Sequence, residues 1–135
     1  MRAVVDTNVW VSAFLTPGGT AAKLLAAMVA GQLTPVLSAP VESEYRSVLA
    51  RAKFNIEPLL LADFFNDLRT LGQFVDQVPP IDIDLPDPGD APFVALARHA
   101  LCPVITGNAR HFPARAGVKA LTPAAWLAER ANQNS

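Results

Sequence analysis

Short unbroken apolar runs alternate along the chain with longer stretches whose apolar residues recur at helical spacing. Ala3-Val4-Val5 is the first run, ends at Asp6, and is too short for an amphipathic helix, so it reads as a buried strand. A plain role for Asp6 is the N-cap of a helix over residues 8–15; against it, a carboxylate directly after an apolar run is costly without compensation. Pro17-Gly18-Gly19 punctuates a loop. Thr20 then suits the N-cap of a helix carrying Leu24, Leu25, Met28 and Val29, which Gly31 stops. Leu33 to Leu37 is a second strand-like run. Ser38-Ala39-Pro40 opens a helix whose Val41, Tyr45, Val48, Leu49 and Ala52 fall on one stripe. Pro58 begins another, with Leu61, Phe64, Phe65, Leu68 and Leu71 on one face.

From Val78 to Leu85 the pattern is irregular, with Pro79-Pro80 and alternating Ile and Asp, and reads as a short strand plus loop. Asp90 suits the N-cap of a helix bearing Phe93, Val94, Leu96, Ala97, Ala100 and Leu101. Pro103 to Thr106 reads as a strand that tolerates proline at its first residue. Val118 to Leu121 is a last short strand, and Thr122-Pro123 caps the final helix. The tail from Asn132 is polar and is expected to fray. Strands that alternate with helices, and that are apolar throughout rather than every second residue, predict an α/β fold with a parallel sheet covered on both faces.

Composition narrows the class. A chain of 135 residues, 51% hydrophobic and 17% charged, is globular and of single-domain length. One cysteine, Cys102, excludes a disulfide framework and a thiolate zinc cluster, and fits a reducing cytoplasm. No apolar stretch approaches the roughly 20 residues of a membrane span, and Asp6 interrupts any leader-like segment. The net charge of −1, from 11 basic and 12 acidic residues, excludes a uniformly basic surface. It hides an uneven spread. Asp76, Asp82, Asp84, Asp87 and Asp90 crowd a segment without a base, whereas Arg98, Arg110, Arg115, Lys119 and Arg130 face only Glu129 in the last part of the chain.

In an open α/β sheet, ligands bind beyond the carboxyl ends of the strands. Polar residues expected there are Asp6-Thr7-Asn8 after the first strand, Glu42 and Glu44 in the helix fed by the second, Asp87 and Asp90 near the helix at 90, and Thr106-Gly107-Asn108. Crowded carboxylates repel one another unless a cation sits between them, and hard oxygens without thiolates suit Mg²⁺ or Mn²⁺. Glu42 has Arg46 one turn on, a favourable surface pair, so Glu44 is left as the ligand candidate. Asp90 and Asn108 also have plain roles, as a cap and a turn residue. His99 is expected on an exposed helix flank, His111 in a loop, either without a role or in contact with phosphate, and Cys102 as a buried small hydrophobe rather than a nucleophile. No P-loop, Gly-x-Ser-x-Gly or His-Glu-x-x-His pattern occurs.

The opening from Met1 to Ala13, with Asp6-Thr7-Asn8, resembles the N-terminus of PIN-domain ribonucleases. Pro17-Gly18-Gly19, Leu37-Ser38 leading to Glu44, Val48-Leu49-Ala50-Arg51, the run from Asp87 to Ala97, Val104-Ile105-Thr106-Gly107-Asn108 and Leu121-Thr122-Pro123 follow in the family's order. The chain is similar to the branch described as toxin components of toxin–antitoxin systems, relatives of the VapC-type toxins. The resemblance implies a three-layer α/β/α PIN-like fold with a central, mostly parallel sheet, one domain over residues 1–131 and a polar tail at 132–135. It implies a Mg²⁺- or Mn²⁺-dependent endoribonuclease in which Asp6, Glu44 and Asp90 match the acidic metal-binding positions. Asn108 falls where many relatives carry a fourth aspartate; a neutral amide is a weaker ligand and puts a second metal position in doubt. Thr106 matches a hydroxyl position near the site. Asn8, Thr106 and Arg110 are the expected substrate contacts, Arg110 because it lies two residues past Asn108; Arg46, Arg51, Lys53 and Arg115 are further bases for the approach of RNA. The expected partners are RNA, an antitoxin protein and a second copy of the chain, with no membrane. Against this stand a non-catalytic RNA- or protein-binding module, which Asn108 favours, and another Mg-dependent α/β phosphohydrolase. Of the latter, the aspartyl-phosphate kind would need an aspartate where Asn8 stands.

Overall fold

The computed structural model describes residues 1–133, and side chains through Asn132. Among the described residues a five-stranded sheet forms from β1 (Arg2–Val5), β2 (Thr34–Leu37), β3 (Gln73–Phe74), β4 (Val104–Ile105) and β5 (Ala120–Leu121), in the order β3-β2-β1-β4-β5. Every pairing in it is parallel. The helices are α1 (Thr7–Leu15), α2 (Ala22–Val29), α3 (Ala39–Leu49), α4 (Pro58–Leu71), α5 (Ala91–Ala100) and α6 (Pro123–Gln133). This is the expected α/β architecture, consistent with the three-layer α/β/α arrangement. β1 lies at the centre, and Ala3, Val4 and Val5 have no solvent exposure, which is why that run is apolar throughout.

The core continues from β1 through Val36, Leu37, Val104 and Ile105 to the inner faces of the helices. Trp10 of α1 and Phe64 of α4 meet edge to face at 5.1 Å, and Phe14 and Phe65 extend the cluster. Ser38 caps α3, accepting the Val41 N–H at 3.4 Å, and Thr122 Oγ1 accepts the Ala125 N–H at 3.1 Å at the start of α6. His99 is exposed, as expected, and Cys102 is half-buried rather than fully buried.

Four local expectations are corrected. No strand forms over residues 78–85; the third strand is β3 at Gln73–Phe74, directly after α4, which the helix-like pattern up to Leu71 conceals. The irregular segment still inserts Leu85 into the core, with Val78, Ile81 and Ile83 half-buried against it. Thr20 does not cap α2: Ala21 holds that position, with no side-chain cap bond. The stripe on α3 ends at Leu49, and Ala52 lies exposed in a separate single turn, Ala52–Phe54. α6 runs to Gln133, so Asn132 and Gln133 are helical where the tail was expected to begin; residues 134 and 135 of that tail lie outside the described residues. Among the described residues no helix is long and apolar enough to cross a membrane.

Candidate metal centre

The chain runs β1, β2, β3 toward one edge of the sheet and then returns to place β4 and β5 on the other side of β1. The switch point therefore lies between the carboxyl ends of β1 and β4, where neighbouring strand ends diverge and leave a crevice. Register decides what stands there. Val5 pairs with Ile105, so Asp6 and Thr106 come next, side by side. The Asp6 N–H donates to the Ile105 carbonyl at 2.8 Å, and the fully buried Thr106 donates through Oγ1 to Asp6 Oδ2 at 2.9 Å. The same Oγ1 accepts the Asn108 N–H at 3.0 Å, which sets the turn that follows.

Asp6 occupies the N-cap position of α1, yet its carboxylate makes no cap bond. Its backbone carbonyl instead accepts the Val9 N–H at 3.0 Å. Thr7, one residue on, donates through Oγ1 to Glu44 Oε2 at 2.6 Å and so holds Glu44 beside the first turn of α1. Tyr45 reinforces that placement: its buried hydroxyl donates to the Val5 carbonyl, tying α3 to the end of β1.

The two glutamates of α3 part company: Glu42 does pair with Arg46, one turn on, but it is buried rather than at the surface, and Arg69 of α4 is its closer partner. Glu42 is buried and accepts Arg69 Nη2 at 2.7 Å and Arg46 Nη2 at 3.3 Å. The Arg69 hydrogen bond, outweighing burial, holds its carboxyl below the usual range. Glu44, half-buried, has Thr7 as its neighbour, and its charge reaches Asp90.

Asp90 stands at the N-cap position of α5, again without capping it through its side chain. Its Oδ2 is buried with no hydrogen-bond partner; the nearest cationic candidate is His111 Nδ1 at 3.4 Å. Asp87 precedes it by one turn of the Asp-Pro-Gly-Asp segment and accepts the Gly89 N–H at 2.9 Å. One ligand atom from each of Asp87, Asp90 and His111 lies within 4.8 Å of the others. His111 Nε2 in turn faces the Asn108 side-chain amide at 3.1 Å.

A cleft of about 300 Å³ opens at these strand ends. Asp6, Asp87 and Asp90 line it with Asn8, Asn108 and His111, and neither lysine nor arginine does. Burial raises the Asp6 carboxyl above its usual range despite the Thr106 hydrogen bond. Burial first, then the charges of Asp6 and Asp87, pushes Asp90 up to about 6. Buried carboxylates without an internal countercharge are costly unless an external cation answers them. The donor set fits a divalent cation: carboxylate oxygens, one imidazole, and a buried oxygen with its hydrogen-bonding capacity unspent.

Of the residues singled out from sequence, Asp6, Asn8, Asp90 and Asn108 line the cleft. Thr106 lies beneath it, holding Asp6. Glu44 stands beside the cleft rather than in its lining, attached through Thr7. Arg110 is exposed on the turn after Asn108 and outside the cleft lining. Arg46 is engaged with Glu42, and Arg115 donates to the Asp84 carbonyl at 2.8 Å. Three further residues belong to the site. Thr7 and Asp87 stand among the polar residues expected at the strand ends without a role of their own, and His111, expected as a loop residue able to meet phosphate, instead faces Asp90. Spacing was the available signal: Asp87 and His111 each sit three residues from a candidate, one tight turn away. A family model described as PIN domain matches residues 2–110. No curated protein matches the chain.

Proposed function

The chain belongs to the PIN-domain family, and on that premise we propose that it is a divalent-metal-dependent endoribonuclease, the toxin of a type II toxin–antitoxin pair. PIN domains are generally metal-dependent nucleases. The observation that carries the reading is the pair of buried carboxylates, Asp6 and Asp90, that share a cleft with the exposed Asp87 at the switch point between β1 and β4, with neither lysine nor arginine in its lining. The toxin role and the choice of RNA rest on the resemblance of the sequence motifs. The domain assigned by this reading runs over residues 1–131, because β5 and the start of α6 extend the same sheet and its covering layer beyond residue 110.

In this mechanism Asp6, Glu44 and Asp90 would hold the cation, Mg²⁺ or Mn²⁺, and Asn108 completes the catalytic set at the same cleft. Once bound, such a cation lowers the pKa of a water and neutralises charge developing on phosphate oxygens. The protein's share is positioning. Thr106 fixes Asp6 Oδ2 and leaves its other oxygen for the site, and Thr7 does the same for Glu44. Asn8 and Asn108 offer amide N–H groups at the cleft wall to phosphate or sugar oxygens. Arg110, on the exposed turn beside the cleft, offers charge to the approaching backbone. Water as nucleophile leaves the 2′-hydroxyl unused, so preference for RNA comes from shape and single-strandedness.

The test is cleavage of a panel of single-stranded and structured RNAs by the purified chain. Mg²⁺ or Mn²⁺ should support cleavage and EDTA should silence it. Asp6→Asn and Asp90→Asn should each reduce the rate at least about a hundredfold with an unchanged circular-dichroism spectrum. Chelator-resistant cleavage, or full activity in both variants, defeats the proposal. Metal binding without cleavage of any RNA would favour the alternative, a PIN-like module that binds RNA or protein without cutting, to which the neutral Asn108 lends support. The antitoxin, a second copy of the chain and a cytoplasmic location belong to the same reading. Growth arrest on expression, relieved by a small reading frame directly upstream, would support the toxin role.

A further inference from the structure

We propose that Asp87, Asp90 and His111 form a second cation position, sharing Asp90 with the Asp6–Glu44 side, and that its imidazole ligand makes this chain bind Mn²⁺ in preference to Mg²⁺. The inference rests on the metal-dependent reading above and names the ligands that the neutral Asn108 leaves wanting.

Three observations carry it. The ligand atoms of these residues lie within 4.8 Å of one another. Two ligands on opposite sides of a small divalent ion at about 2.1 Å stand roughly 4.2 Å apart, so closure by about half an ångström completes the set. Asp90 is only 8% exposed, and its Oδ2, the oxygen facing His111 Nδ1, is buried without a hydrogen-bond partner. Finally, Asp6 Oδ2 and Glu44 Oε2 are already engaged by Thr106 and Thr7, whereas neither Nδ1 of His111 nor Oδ2 of Asp90 is committed to a hydrogen bond. Asp87 is aimed by its own turn, through the Gly89 N–H.

The partner of the other imidazole nitrogen fits the same role. A ligating histidine normally gives its second N–H to an oxygen, which fixes the tautomer. Asn108 sits against His111 Nε2 with a side-chain amide that can present either nitrogen or oxygen by a half-turn. With its oxygen turned inward it accepts the Nε2–H and leaves Nδ1 free to bind metal. Asn108 is then a positioning residue for His111. The chemistry sets the preference: Mg²⁺ demands oxygen donors and holds its waters, while a first-row transition ion accepts nitrogen alongside carboxylate.

The experiment is Mn²⁺ titration of the full chain, followed by calorimetry and by electron spin-echo spectroscopy of the bound ion, with Mg²⁺ titrated in parallel. The expected result is imidazole-nitrogen modulation on bound Mn²⁺ in the parent protein and in His99→Gln, and its loss in His111→Gln. Mn²⁺ affinity should fall about tenfold or more in His111→Gln and in Asp87→Asn, with Mg²⁺ affinity changed less than about twofold in His111→Gln. Because the first readout is taken on the parent protein, it does not depend on any variant folding. Mn²⁺ bound without nitrogen modulation, or modulation that persists in His111→Gln, overturns this inference and leaves the Asp6–Glu44–Asp90 reading standing. Failure of the parent to bind Mn²⁺ or Mg²⁺ at all overturns both.

Discussion

Thr106 shows how much one hydroxyl can organise. It is fully buried, donates to Asp6 and accepts from the Asn108 backbone, so it links a candidate ligand to the turn that carries Asn108 and His111. Thr106→Val keeps the shape, removes the donor to Asp6 Oδ2 and strands the Asn108 N–H. Stability should fall by about 1–3 kcal/mol in urea denaturation, the usual cost of leaving buried polar groups unmet. Mn²⁺ affinity should fall about 10- to 100-fold, as for loss of a hydrogen bond that orients a metal ligand. Thr106→Ser, which restores the hydroxyl, should recover most of the affinity. If valine and threonine bind metal equally well, Thr106 is packing and nothing more. At this scale the sequence was readable where two candidates differed in a local partner: Arg46 one turn beyond Glu42 separates it from Glu44. The spacing of His111 to Asn108 was readable, but its meeting with Asp90 was not, because that contact depends on how two separate turns pack.

Among the elements, the junction of α4 and β3 was the least legible. Gly72 ends α4 and leads straight into β3, with no loop between helix and strand. A Cβ there would lie 2.5 Å from the Leu68 carbonyl oxygen and 2.7 Å from that of Pro35. Both are backbone atoms and cannot rotate away, so it is close approach to the last turn of α4 and to β2, and not a left-handed conformation, that demands glycine. Gly72→Ala should destabilise the protein by about 1–3 kcal/mol, read as a lower urea midpoint, by forcing α4 off the edge of β2. An unchanged midpoint would mean that the edge strand is slack. The two-residue β3 itself lies below the length at which any hydrophobic period can be recognised. The irregular Val78–Leu85 stretch looked more strand-like because its apolar residues alternate. They do so to anchor a loop, and Leu85 alone of them is fully inserted.

Across the whole molecule, Glu42 is answered by arginine and the cleft lining is not. The cleft is lined by acids without lysine or arginine, while Arg46 and Arg69 converge on Glu42, joining α3 to α4. Arg69 also lies over the Phe74 ring at 5.5 Å, so it touches the edge strand as well. The Glu42 carboxyl is held below its ordinary 4.5, with the Arg69 hydrogen bond as the largest cause. A carboxyl lowered on folding contributes stability that is present above its unfolded value and lost as pH falls through the folded one. Arg69→Met should therefore be less stable than the parent at neutral pH, and the two urea midpoints should converge as acid protonates Glu42 in both. A difference that stays constant into acid would assign the effect to Arg69 stacking on Phe74 instead.

Periodicity by itself determined the alternation of buried runs and amphipathic stripes, and hence the parallel α/β class, because those patterns follow from burying both faces of a sheet. It also placed Asp6 and Asp90 at element ends, where side chains of that type belong. Which end residues meet was decided by the tertiary structure alone. Strand order puts the switch point between β1 and β4, and register sets Asp6 beside Thr106 across a sequence separation of 100 residues. Two turns then bring Asp87 and His111 to Asp90. No local pattern encodes such meetings, since each depends on how segments distant in the chain are packed against the same strand ends.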